Sequence, residues 1–467
     1  MAPPNEISQL IDIYYEIITG PDNKRTYLRS LLSQDFFAGV DIGRTWNNGS
    51  PILGSFSIRL LHQDRFLANG PEQRAFFQDL MEMEEEIPEE TSSWEIFLEY
   101  IKANIEKEHP RILEVAITDN PNASTLKVKP NQLGSAFPNA PINRIRPDLI
   151  QPGISISHES NQAGTLGAIL YGGTVGSPIP YLLSAYHVMA HAEADQGHFI
   201  NRPGTGDGRP QQRKPVAQLD YLRHPKNGEV WVDGILGRLL PERDNPHFPH
   251  GGHKPHQLGT WNRNEAGGGE IHLKETLLVN SDHLTLNHSS RLIFSKSGKS
   301  SGITSGILDG VGAYRMPFEN HQAFAYLGFT LVPDPDIPSR EELSRPGDSG
   351  ALWFVNQGGT YKATGLHMDG ERAGDPNKER AFACHFEDIL AVYQSDDLTL
   401  ALTIEDLPQA SDSDLPDIIG TGPKVPGVQQ EVTIQGQCPR CGEPIQLRGR
   451  SKNPIVPGFS TVNDQRL

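Results

Sequence analysis

A serine hydroxyl is a poor nucleophile at neutral pH. Ser349, in the stretch "RPGDSGALWF" (residues 345–354), can do chemistry only with a base to take its proton and an acid to orient that base. Two other stretches offer those partners. "YLLSAYHVMA" carries His187 at the end of an apolar strand-like run, before a segment that could begin a short helix. "GEVWVDGILGRLL" sets Asp233 between two apolar runs, where a carboxylate would be substantially buried and therefore needs a hydrogen-bonded partner. Asp220, in "VAQLDYLRHP", is the competing acid; Asp233 is favoured because "VDGIL" puts it at the head of an apolar strand. The resulting chain order is His187, Asp233, Ser349.

Groups so distant in sequence need a scaffold that brings them together. Residues 1–110 read as a small all-α domain. Asn5 can cap a segment with Ile7, Leu10, Ile11, Tyr14, Ile17 and Ile18 at helical spacing, and Ser92, Ser93 and Glu95 open another bearing Trp94, Phe97, Leu98, Ile101 and Ile105. The acidic run at 81–86 between them reads as a solvated helix face. After a connecting segment, 111–142, the texture over 143–400 changes to short β-rich runs separated by Gly, Pro, Asn and Asp, which argues for a mainly β sandwich or barrel. "GTLGAILYGG" followed by "PYLLSAYHVMA" predicts a hairpin turning near Gly172 and Gly173. Residues 401–431 form an acidic, Pro-rich linker, and a small Cys-containing tail occupies 432–467.

Composition narrows the function classes. The chain has 467 residues, 36% of them hydrophobic, enough for a full core and for two or three domains. A formal charge of −17 opposes nucleic acid as a main partner. No stretch reaches the roughly 18 apolar residues of a spanning helix, and the start, "MAPPNEISQL", lacks the features of a secretion signal. Three cysteines supply no disulfide framework. The expectation is a cytoplasmic protein without a membrane anchor.

The blocks "RPDLIQPGISISHES", "AGTLGAILY", "LLSAYHVMA", "VAQLDYL" with "VDGILGRL", "KSGKSSGITSGIL" and "GDSGALW…TGLHMDG" follow one another over about residues 143–398. In that order they resemble a chymotrypsin-like (trypsin-like) serine protease of the cysteine-poor bacterial branch. The resemblance implies a pair of six-stranded β-barrels with the site in the cleft between them. It makes His187 the general base, Asp233 its orienting carboxylate and Ser349 the nucleophile, with the N–H groups of Gly347 and Ser349 as an oxyanion hole. The physics asks for similar parts: Gly347 permits backbone angles that aim two amides at one point, and Gly350 permits close approach of substrate. Asp348 is expected in a polar interior contact. Secreted members often activate when a new N-terminus inserts beside that acid, but here about 140 residues precede the protease block.

The same resemblance implies two positions that bear on specificity. Leu343, six before the nucleophile, would lie at the base of the pocket, where an acid would be wanted for Lys or Arg. His367 would line the pocket and could recognise an acidic side chain by a charge-assisted hydrogen bond, or serve simply as a buried strand histidine. Catalysis of this kind requires no cofactor.

Other motifs carry less. "SKSGKSSG" lacks the leading glycine of a P-loop, and "HVMAH" has Val188 where a zinc protease needs glutamate. His247, His250, His253 and His256 sit in a Pro- and Gly-rich loop. Cys438 and Cys441, in "VTIQGQCPRCGEPIQL", resemble one knuckle of a zinc ribbon without its second pair, so a structural zinc or a metal-free knuckle both fit. The N-terminal module loosely resembles helical adaptors that recruit a protein partner, or it caps the protease. The leading expectation is an intracellular serine endopeptidase acting on proteins or peptides. The alternative is a catalytically silent protease-fold scaffold that binds partners.

Overall fold

The computed structural model describes residues 37–47, 50–62, 150–409 except 241–259 and several shorter stretches, 430–437 and 444–451. The β-branched and aromatic runs become strands, and the described residues are mainly β with few helices. They fall into two units, the smaller of which holds Thr174–Gly176 and the hairpin near the C-terminus.

In the larger unit, β1 (Phe37–Asn47) and β2 (Ser50–His62) form an antiparallel hairpin. A seven-stranded sheet follows, made of β3 (Ser155–His158), β4 (Gly164–Thr165), β5 (Ala168–Thr174), β6 (Ser177–Ser184), β7 (Phe199–Arg202), β8 (Lys214–Asp220) and β9 (Ile235–Leu239). Helix α1 (Tyr186–Met189) is inserted after β6. The predicted hairpin near Gly172 and Gly173 is β5 and β6, with Gly173 at φ +85°.

The remaining strands are β10 (Thr260–Asn262), β11 (Glu270–Thr276), β12 (Ile293–Gly298), β13 (Gly302–Pro317), β14 (Ala323–Pro333), β15 (Leu352–Gln357), β16 (Thr360–Gly370) and β17 (Ala381–His385), then helix α2 (Phe386–Ser395). Six of them close a barrel, each antiparallel to the next: β12 to β13, β14, β17, β16, β15 and back to β12. Phe294, Phe329, Leu331, Leu352, Trp353 and Leu366 are buried in this half. Helix α2 buries Phe386, Ile389 and Tyr393, a stripe at helical spacing.

Two expectations need correction. The first sheet is not a closed six-stranded barrel; it runs in the order β4-β3-β7-β8-β9-β6-β5 and is open, a half-barrel. Its two-residue end strand spends its polar groups elsewhere: the Thr165 N–H donates to the Ser349 carbonyl (2.8 Å) and its hydroxyl to the Gly347 carbonyl (2.8 Å). The all-α N-terminal domain is not seen over 37–62, which is the β1–β2 hairpin, with β1 paired to β13 from Gly39↔Tyr314 to Gly43↔Gly310. The helices expected around 7–18 and 92–105 lie outside the described residues.

A buried ion pair ties this hairpin to the barrel. Arg59, fully buried, donates to both oxygens of Asp41 (2.7 and 2.6 Å) and to Asp309 (2.7 Å), and the Tyr314 hydroxyl donates to Asp41 (2.9 Å). Gly43 and Gly310 leave the space: a Cβ on either would lie within 2.3 Å of the guanidinium. Breaking a buried pair from one side leaves an uncompensated charge. Arg59→Met is therefore expected to lower the unfolding free energy by about 3–5 kcal/mol, read from urea denaturation. An unchanged midpoint would contradict this docking.

Among the described residues no helix is long and apolar enough to cross a membrane. The second unit contains the antiparallel hairpin β18 (Gln430–Gln437) and β19 (Pro444–Ser451), in register from Gln430↔Ser451 to Gln437↔Pro444. Cys438 and Cys441, in the connection between these strands, lie outside the described residues, as do His247, His250, His253 and His256.

Candidate active site

His187 stands on α1, a single turn starting directly after β6. The helix is pinned by Asn161, whose amide donates to the carbonyls of His187 (3.0 Å) and Ala190 (2.6 Å). The His187 ring is 37% exposed, while Asp233 is fully buried. His187 Nδ1 donates to Asp233 Oδ2 at 3.0 Å, and the Tyr186 N–H donates to Oδ1 at 2.6 Å. His187 and the residue before it thus share one carboxylate. Burial works against a charged imidazole, but the charge and hydrogen bond of Asp233, with the charge of Asp369, raise the His187 pKa above the ordinary histidine value.

Asp233 precedes β9 and is braced from α2. The Tyr393 hydroxyl donates to the Gly234 carbonyl (3.0 Å), and a Cβ on Gly234 would come within 2.8 Å of Ile389. The competing acid, Asp220, ends β8 and accepts from the Gln196 side chain (2.9 Å) and the Tyr221 N–H (3.2 Å). Among the described residues no hydrogen bond joins it to His187.

The Ser349 loop lies at the junction of the half-barrel and the barrel. Gly347 (φ +99°) and Gly350 (φ +87°) occupy the left-handed region that side chains disfavour. A Cβ on Gly350 would meet Ser184 Oγ at 2.1 Å and the Thr165 carbonyl at 2.5 Å. Gly164 brings α1 to the loop, since its missing Cβ would lie 2.3 Å from Val188 and 2.9 Å from the Ser349 carbonyl. The Asp348 N–H is bonded to the Arg345 carbonyl (2.9 Å) and that of Gly350 to the His367 carbonyl (2.7 Å). No acceptor for the N–H of Gly347 or Ser349 is found among the described residues. The Ser349 hydroxyl donates to the Met368 carbonyl at 3.2 Å, and among the described residues it makes no hydrogen bond to His187.

The two pocket candidates are interior residues. Leu343 is 2% exposed, with its carbonyl accepting from the Thr304 hydroxyl (2.8 Å). His367 is 1% exposed; its Nδ1 accepts from the Trp353 indole (3.4 Å), so its Nε2 carries the proton donated to Ser344 Oγ (2.9 Å). Burial first, and the Lys296 charge second, lower its pKa to about 3. His367 is therefore neutral with both nitrogens engaged, an arrangement unsuited to receiving a substrate carboxylate.

His385, with Nδ1 unpartnered among the described residues, is likewise pushed by burial to about 4. Both groups sit below the ordinary histidine value of 6.5, so the unfolded chain takes up protons that the folded chain refuses. Stability is thus expected to fall as pH drops from 6.5 towards 4 and 3, seen as a declining urea midpoint. A flat midpoint between about pH 7 and about pH 4 would contradict it.

Three contributors were not singled out in the sequence: the Tyr186 amide, Thr165 and Lys296. Only Lys296 left a signal there, since the alternation of β12 puts it on the same inward face as Phe294. Among the described residues no group of three or more His, Cys, Asp or Glu is arranged to hold a metal ion.

No protein-family model and no curated protein matches the chain. Among solved structures, the Rv3671c protease from M. tuberculosis in its active form aligns at 9% identity over 48% of this chain and 78% of that chain, with a TM-score of 0.25. The NS6 protease from murine norovirus 1 aligns at 13% identity over 50% of this chain and 92% of that one, TM-score 0.23. An inactive mutant of the murine norovirus NS6 protease with a C-terminal extension aligns at 11% identity, covering 46% and 91%, TM-score 0.22.

Proposed function

We propose that the protein is a serine endopeptidase hydrolysing peptide bonds of protein substrates. The single observation that carries this reading is the 3.0 Å bond from the exposed His187 ring to the buried Asp233. With Nδ1 committed to Asp233, a neutral imidazole has Nε2 unprotonated and ready to accept a proton. The reading requires the Ser349 hydroxyl to leave the Met368 carbonyl and turn to that nitrogen. Catalytic hydrogen bonds commonly close only when substrate is bound.

Ser349 Oγ then attacks the scissile carbonyl carbon as its proton passes to His187 Nε2. The tetrahedral oxyanion is met by the N–H groups of Gly347 and Ser349, which have no acceptor among the described residues and so suit it. Collapse breaks the C–N bond, and His187 returns the proton to the leaving amine. Water, deprotonated by the same imidazole, cleaves the acyl-enzyme and restores the hydroxyl.

The second reading, a scaffold that does not cleave, is favoured by the Ser349 hydroxyl pointing to Met368 rather than to the base. Incubation with a mixed peptide library separates the two. New peptide termini formed by the full chain and absent with Ser349→Ala support the endopeptidase, and no new termini under any condition supports the scaffold.

A further inference from the structure

We propose that Lys296 is a positioning residue for the nucleophile, supplying from within the barrel the cation that holds Asp348, so that the uncleaved chain is already competent. The inference rests on the endopeptidase reading and adds how that site is set.

Lys296 and Asp348 are both fully buried, and Lys296 Nζ donates to Asp348 Oδ2 at 2.8 Å. The ammonium also donates to Ser301 Oγ (2.9 Å) and lies 5.4 Å from the centroid of the Trp353 ring, whose face favours a cation. The carboxylate is saturated from three further amides: Ser300 (3.0 Å) and Ser301 (3.1 Å) on Oδ1, and Arg345 (3.0 Å) on Oδ2. Gly298 makes the approach feasible, because a Cβ there would lie 2.1 Å from Oδ1. Burial alone would raise the Asp348 pKa, but the charge of Lys296 first, then His367 and the side-chain hydrogen bonds of Lys296 and Ser301, hold it well below the usual carboxylate range.

Asp348 stands between the two residues whose amides have no acceptor among the described residues. Drawing its side chain into the barrel orients the flanking peptides of Gly347 and Ser349 together. An ionised carboxylate cannot stay in that interior without its cation. Without Lys296, Asp348 either takes up a proton or leaves, and the amides lose their common aim. Because the cation comes from β12, no newly cut amino terminus is needed to neutralise Asp348.

The test uses the full-length chain with a fluorophosphonate probe, intact mass and peptide kinetics. Wild type is expected to label at Ser349 while its mass remains that of the uncut chain plus one adduct. Lys296→Met, normalised to its folded fraction, should label at least about 100-fold more slowly, with kcat lowered and KM nearly unchanged. Adding Asp348→Asn, which removes the stranded charge, should recover at least about tenfold, which a purely structural role would not produce. Labelling that appears only after internal cleavage overturns the proposal, and so does Lys296→Met labelling at the wild-type rate. If the single variant does not fold, the intact-mass result on wild type decides alone. A wild-type chain that never labels sinks the endopeptidase reading and this inference together, whereas equal labelling of wild type and Lys296→Met sinks this inference only.

Discussion

Ser349→Ala is expected to lower kcat by about 10⁶-fold while leaving the urea midpoint unchanged. The loss is this large because the acyl-enzyme route disappears altogether. What survives is substrate binding and the two amides, worth about 10³- to 10⁴-fold over the uncatalysed reaction. The fold is spared for a local reason: the hydroxyl makes one long bond, 3.2 Å to the Met368 carbonyl, whereas the loop is held by Asp348 and Thr165. His187→Ala should cost about as much, and the double variant little more, since the two groups act as a unit. Steady-state kinetics on a peptide found in the library screen checks this. Hydrolysis persisting in Ser349→Ala would remove the serine from the chemistry.

Asp233→Asn is the second large effect, expected at about 10⁴-fold in kcat. The carboxylate accepts from two donors, the Tyr186 amide at Oδ1 and His187 Nδ1 at Oδ2. A carboxamide has one oxygen. If that oxygen keeps the 2.6 Å bond to Tyr186, the NH₂ faces the imidazole and makes Nδ1 the acceptor. The proton then sits on Nε2, and the ring can no longer act as a base. The same substitution removes the strongest influence raising the His187 pKa, leaving Asp369 as the remaining one. A base acts only when neutral, so the acid limb of kcat/KM for the residual activity should move to lower pH than in wild type. A variant retaining wild-type kcat would show that Asp233 does not orient the base.

The site and the fold were unequally legible in the sequence. His187 ends an apolar strand-like run, Asp233 sits between two such runs and Ser349 precedes one, and short motifs of that kind survive without tertiary information. The β1–β2 hairpin did not show itself, because its inward positions include Asp41 and Arg59, charges whose pairing exists only after β2 and Asp309 converge. With the alternation of β1 broken in this way, the helical texture on either side was extended across it. The open first sheet was equally hidden. Gly164 and Thr165 read as part of a strand, and nothing local reveals that Thr165 bonds to the serine loop across the junction. For His367 the strand position was visible but burial was not, so a pocket histidine and a buried strand histidine both stayed open. A histidine pressed between Trp353 and Ser344, near the Lys296 charge, is neutral and serves the interior. Lys296 was passed over as part of a failed phosphate-binding motif, although a lysine on the inward face of a strand calls for a buried anion as partner.

The central claim is that Ser349 becomes nucleophilic through His187. Fluorophosphonate modification of the full-length protein, mapped by fragmentation of the modified peptide, tests it most directly. A single adduct on Ser349, lost in His187→Ala although that variant stays folded, is the predicted result. A folded wild-type protein that hydrolyses peptides yet carries no adduct on Ser349, or carries one undiminished in His187→Ala, would contradict it.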